Sequence, residues 1–127
     1  MGLYASSKHA LEGLSESLDH EVRGFGVRVA LVQPNFTKTE FAGHATAVAG
    51  TIEAYGVLKS RVFAAVEKNI QAGATPDGVA AEILRAARAP FKMRRPVGFS
   101  ARLLSRLRRF MPAGPVDRSL RKTFALD

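Results

Sequence analysis

The sequence predicts an α/β chain, rich in helix and holding only part of a sheet. Three observations lead there. Apolar residues recur at steps of three and four from Tyr4 to about Gly26, the period of a helix. A β-rich and almost wholly apolar run follows at Val27-Arg28-Val29-Ala30-Leu31-Val32, as in a strand covered on both faces. The remaining sequence supplies more helices but only one further short strand. A strand buried on both sides needs neighbours for its N–H and C=O groups. Two accounts therefore stand on the residue pattern: the strand is misassigned, or most of its sheet lies outside these 127 residues.

In the first helix Ala10, Leu11, Leu14, Leu18, Val22 and Phe25 form the apolar stripe, while Glu12, Glu16, Asp19 and Arg23 fall mostly elsewhere. Gly24 and Gly26 supply the stop, since a helix often closes on a left-handed residue. Pro34 ends the strand. Gln33 to about Thr51 keeps no period and predicts a long loop with room for a short helix. Leu58, Val62, Val66 and Ile70 share a stripe that predicts a second helix over about 55–72, closed by Gly73. Thr75-Pro76-Asp77 offers a hydroxyl cap, a first-turn proline and an acid at the positive end of the dipole. This third helix should reach about Ala89, with Val79, Ile83 and Leu84 inward and Pro90 stopping it. Arg95-Pro96-Val97-Gly98 reads as the short strand. Residues 101–110 read as a basic amphipathic helix, with Leu103, Leu104, Leu107 and Phe110 opposite Arg102, Arg106 and Arg109.

Composition narrows the function classes. Hydrophobic residues make up 46% and charged residues 24%, the balance of a globular domain. No apolar run approaches the ~18–20 residues of a membrane span, and no basic-then-apolar leader is visible, so a cytoplasmic location is expected. With no Cys, disulfides, thiolate metal sites and a cysteine nucleophile are excluded. His9 and His20 are too far apart for a helical metal pair, so no metal is expected; the three histidines are expected on helix surfaces or in the lid, with a substrate contact by His44 as the lesser alternative. Charge is uneven. Residues 1–91 are neutral overall, and 92–127 set ten Lys/Arg against Asp117 and Asp127, so the whole net +8 sits there. The segment reads first as a solvated C-terminal cap, with an anionic membrane surface as the alternative partner and no nucleic acid expected.

The chemistry concentrates at Tyr4-Ala5-Ser6-Ser7-Lys8. Tyr4 and Lys8, four apart on a helix, share one face, which is also that of Leu11, Leu18 and Val22. A phenol is a poor acid–base group near neutrality. An ammonium about 4 Å from a phenolate favours it by about 4 kcal/mol at an effective dielectric near 20, and so makes proton exchange accessible. A lysine on a buried face is costly unless something requires it there. The spacing alone is common in helices, and the alternative is that Lys8 snorkels outward while Tyr4 simply packs.

In this arrangement the chain resembles the short-chain dehydrogenase/reductase family. The order is Tyr4-Ala5-Ser6-Ser7-Lys8-His9-Ala10-Leu11 on a long helix, then the Val27–Val32 strand, then Pro34-Asn35-Phe36-Thr37-Lys38-Thr39. The resemblance implies the C-terminal part of a Rossmann-like, doubly wound parallel sheet, incomplete in this chain. It implies an NAD(P)-dependent oxidoreductase that moves a hydride between nicotinamide and a carbonyl or alcohol, with NAD or NADP as cofactor. Tyr4 would be the general acid/base. Lys8 would assist it and bond the nicotinamide ribose, and Pro34, Asn35, Thr37 and Thr39 would line the nicotinamide side. Asn35 stands where many members have Gly, and the turn then relies on the tolerance of Asn for a left-handed backbone.

The resemblance also divides the chain, as one partial domain over 1–127. Residues 1–39 would hold the active-site helix, strand and turn; 40–74 the substrate lid; and 75–127 a helix, the short strand and the basic tail. A homo-oligomer acting on a small carbonyl or alcohol substrate is expected of the complete protein. The Gly-rich pyrophosphate turn and the family's serine, about a dozen residues before the tyrosine, have no counterpart here. The 127 residues alone are thus expected to be inactive. The alternative is a non-catalytic remnant or helix-pairing fragment, membrane-peripheral through its basic C-terminus.

Overall fold

The first helix, α1 (Gly2–Val22), carries the predicted period and runs into a 3-10 turn at Arg23–Phe25. Gly26 then takes φ 75°, and its N–H reaches the Arg23 carbonyl at 3.1 Å. Only glycine adopts that backbone without strain, so the stop falls where the sequence put it. The structure, a computed structural model, describes residues 2–40 and 52–126. His44 and most of the 40–51 loop lie outside those residues.

Two strands form a parallel sheet, β1 (Leu31–Pro34) beside β2 (Arg94–Val97), with Leu31 opposite Arg94 and Pro34 opposite Val97. The sequence pattern starts the strand at Val27, but pairing starts at Leu31. The reason is the partner: β2 is four residues long, and Met93, just before it, accepts the Leu31 N–H at 2.7 Å. Between the strands lie α2 (Gly56–Gln71) and α3 (Asp77–Arg88), and α4 (Gly98–Phe110) follows β2 directly through Gly98 at φ 81°. A final helix, α5 (Ala113–Thr123), stands where the sequence suggests only a basic tail. Two parallel strands joined by a helical crossover make this the partial doubly wound α/β fold expected.

One expected cap is absent. Pro76 occupies the N-cap of α3 with no side-chain bond, and its carbonyl accepts from Val79 and Ala80, so Thr75 does not cap the helix. Asp77 does sit in the first turn.

Burial falls on charge more than on the expected apolar stripes. Asp19 is fully buried on α1 and accepts from Arg23 at 2.7 Å, from both nitrogens of the Arg28 fork at 2.9 and 3.0 Å, and from the Val29 N–H at 2.9 Å. These bonds, Arg28 first, hold its carboxyl well below the usual carboxylate range, against the opposing effect of burial; Arg28 is raised in return. The Arg28 guanidinium also lies 3.4 Å above the Phe91 ring, which fixes the approach to β2. Arg94 on β2 pairs with Glu12 and Glu16 of α1. Glu82 of α3 and Arg95 of β2 are both buried and paired at 3.3 Å, and Arg95 also donates to the Pro90 carbonyl at 2.8 Å. Among the described residues, Ile70 and Ala101 are the buried apolar ones.

By contrast, Leu11, Leu14, Ile83 and Leu84 are exposed, at 50, 64, 53 and 57%. The inward placement expected of Leu11, Ile83 and Leu84 is not met, because a two-stranded sheet presents too little surface to cover these helix faces.

Candidate active site

Residues 2–10 are all exposed, so the face bearing Tyr4 and Lys8 is solvent-facing and not the buried face expected of it. The pair itself is formed. Helical spacing places the Lys8 ammonium over the Tyr4 ring, 5.5 Å from its centroid. Ser7 donates to the Tyr4 carbonyl at 2.8 Å, and its hydroxyl is thereby engaged with α1 itself.

The second group of expected residues follows β1. Pro34 is its last residue, so Asn35, Thr37 and Thr39 come just beyond the carboxyl end of a parallel strand, where open α/β sheets place their ligands. Thr37 donates its hydroxyl to the Asn35 carbonyl at 3.0 Å, closing a tight turn. Asn35 donates its amide to the Ser100 hydroxyl at 3.3 Å, tying the turn to the start of α4. Its backbone is not left-handed, since among the described residues the non-glycine with positive φ is Ala125, so the turn does not rely on the expected tolerance of Asn for that conformation.

Beyond the turn, Lys38 N–H donates to the Ala74 carbonyl at 2.9 Å, and Thr37 pairs with Ala74 in an isolated parallel bridge. Gly73 makes this approach possible, since a Cβ there would stand 2.6 Å from the Phe36 carbonyl oxygen. The sequence shows Gly73 only as a helix stop.

Phe36 points the other way, edge-on to Phe124 with centroids 6.4 Å apart. Asn69 of α2 donates to the Thr123 carbonyl at 3.1 Å and holds the chain end in place. Beside these contacts lies an apolar groove of about 360 Å³, lined chiefly by Tyr55, Leu58, Val62, Phe63, Val66 and Phe124, with Lys59 also in its lining. Sequence reasoning gives α2 to the lid but misses Phe124, because a contact between residues 36 and 124 leaves no local signal.

The structure thus brings Tyr4 to Lys8, and Asn35 to Thr37. The ties described between α1 and the sheet region run through Glu12, Glu16 and Asp19. Two features bear on whether these residues fit a nicotinamide. The turn lies beyond the end of a parallel strand, and Thr39 beside it is exposed. Both suit the nicotinamide end of such a cofactor. Among the described residues no cluster of His, Asp or Glu could hold a metal.

Comparison with known proteins bears on the same residues. A family model described as short chain dehydrogenase matches residues 1–49. An uncharacterised oxidoreductase of Schizosaccharomyces pombe is 35% identical over 85 residues, covering 67% of this chain and 36% of its own length. The uncharacterised oxidoreductase YusZ of Bacillus subtilis is 32% identical over 125 residues, covering 94% of this chain and 45% of its own. An NADPH-dependent 3-dehydrocapnine reductase of Ornithobacterium rhinotracheale is 33% identical over 82 residues, covering 63% and 29%. The chain therefore spans less than half the length of these relatives. The helix with Tyr4 and Lys8, the parallel strand and the turn after it all fall within the matched stretch, and the chain belongs to the short-chain dehydrogenase/reductase family of oxidoreductases.

Proposed function

We propose that this chain supplies the acid–base half of an NAD(P)-dependent carbonyl reductase or alcohol dehydrogenase, acting as part of a longer protein. The observation that carries the reading is the Lys8 ammonium over the Tyr4 ring, on the helix that precedes the parallel strand and its turn. A bound nicotinamide would give or accept the hydride. Tyr4 gives its phenolic proton to the carbonyl oxygen in reduction and takes it back from the hydroxyl in oxidation. Lys8 stabilises the phenolate left behind, a pairing whose strength rises as the site loses water. Asn35 and Thr37 hold the turn through their mutual bond and the Ser100 tie, and the backbone around Thr37 and the Thr39 side chain orient the nicotinamide.

The apolar groove of α2 and Phe124 supports an apolar carbonyl substrate over a sugar. The name of the Ornithobacterium relative makes NADPH the first cofactor to test, with NADH beside it. In the longest form of the protein that carries this chain, Tyr4→Phe should lower carbonyl-dependent nicotinamide oxidation about 10²–10⁴-fold while leaving nucleotide binding in place. Retained turnover removes Tyr4 from the mechanism.

A second reading rests on the exposed Leu3, Leu11, Leu14 and Leu18 along α1. They suit a non-catalytic, truncated chain that pairs by helices. Turnover abolished by Tyr4→Phe excludes it.

A further inference from the structure

We infer that α4 and α5 form a docking surface for an anionic lipid bilayer. In α4, Phe99, Leu103, Leu107 and Phe110 fall within about 80° of arc at the helical step, and Arg102 and Arg106 border that stripe on one side. The stripe is uncovered: Phe99 and Phe110 are 81 and 80% exposed, and Leu103 and Leu107 are exposed between them. In α5, Arg118, Arg121 and Lys122 share one face, with Val116 and Leu120 opposite. The two helices are consecutive, separated only by Met111 and Pro112. Arg102 donates to the Pro96 carbonyl at 3.5 Å and Arg121 to the Leu126 carbonyl at 3.2 Å, and both side chains, like those of Arg106 and Arg118, are exposed.

Charge and apolar surface together select the occupant. Residues 98–123 hold seven Lys/Arg against Asp117 alone, within the segment that carries the chain's whole excess charge. A phosphate backbone would engage the cations and leave two phenyl rings in water. A bilayer takes both, with rings below the headgroups and guanidinium groups among anionic phosphates. α5 ends at Thr123, and the next residue, Phe124, is a groove wall, so the groove follows the basic helix directly along the chain.

The test sediments the full chain with vesicles of phosphatidylcholine alone, or of phosphatidylcholine mixed with phosphatidylserine. Binding is expected only with the anionic lipid, and it should weaken as salt rises. Arg102→Glu with Arg106→Glu should lower the partition coefficient by roughly fivefold or more per position. Phe99→Ser with Phe110→Ser leaves the charge unchanged and should lower it about tenfold or more. All four positions are exposed, and circular dichroism of each variant checks that the helices persist. The inference is overturned by absent binding, by equal binding to neutral vesicles, by no loss on removing the phenyl rings, or by a duplex oligonucleotide that displaces the vesicles.

Discussion

Gly73 lies against the backbone of Phe36. A Cβ at position 73 would stand 2.6 Å from the Phe36 carbonyl oxygen, 2.8 Å from its carbon and 2.9 Å from the Ile70 carbonyl. All three atoms are main chain and cannot swing aside as a flexible side chain would. Gly73→Ala must therefore push the Asn35–Thr37 turn away from Ala74 and break the bridge there. Denaturant unfolding should show a loss of about 1–3 kcal/mol, the usual cost of overpacking. Gly114→Ala, with nothing within 4 Å of the added methyl, is the control and should change little.

Asp19 gives the fold a sign for its pH dependence. Its carboxyl is held below its ordinary value of 3.8 by Arg28, Arg23 and the Val29 N–H. A depressed carboxylate contributes stability that is complete above the ordinary value and lost as pH falls toward the depressed one. Thermal melts should thus show stability dropping as pH goes below about 4. Asp19→Asn should lower the melting temperature at neutral pH and remove that group's share of the acid loss. An unchanged acid limb in Asp19→Asn would show that other carboxylates govern it.

The Glu82–Arg95 pair should behave asymmetrically. Both residues are buried, and Arg95 Nε has no partner. Removing Glu82 alone, as in Glu82→Leu, strands a guanidinium in the interior and should cost about 3–5 kcal/mol. Replacing both, Glu82→Leu with Arg95→Met, should cost distinctly less than Glu82→Leu by itself. A double-mutant cycle on denaturant midpoints measures the difference.

Phe124 bears on substrate choice if the groove is the substrate's. Phe124→Ala removes a groove wall and the edge-on contact with Phe36, a contact type worth about 0.5–1.5 kcal/mol beyond its area. In the active protein, KM for apolar ketones should rise while KM for small polar carbonyls stays near its starting value. A uniform loss across both substrate types would show that Phe124 only supports the fold.

Legibility followed the range of each interaction. The period of α1, the stop at Gly26 and the Tyr4–Lys8 spacing are local, and each is present in the structure. The strand is offset because its limits belong to the partner: residues 27–30 have strand chemistry, but β2 offers pairing only from Arg94 onward. Asp19 falls outside the apolar stripe on any helical wheel, yet it is the most buried residue of α1, since Arg28 and Val29 return over it from beyond the turn. The last segment reads as a basic tail from its charge, yet α5 forms there, with Pro115 in the first turn, where a proline costs no hydrogen bond. The wall at Phe124 needed the contact across the whole chain.

The pairing of Leu31 with Arg94 sets the order in which the molecule can assemble. Both strands are short, and all of α2 and α3 lies between them. Helices form from neighbours in sequence, whereas this pairing must first close a long loop, so it comes late and limits the folding rate. During synthesis β1 leaves the ribosome before β2 exists, and this pairing waits until Val97 has emerged. Over that interval the edge that β2 will cover stays open to capture by a chaperone or by another copy.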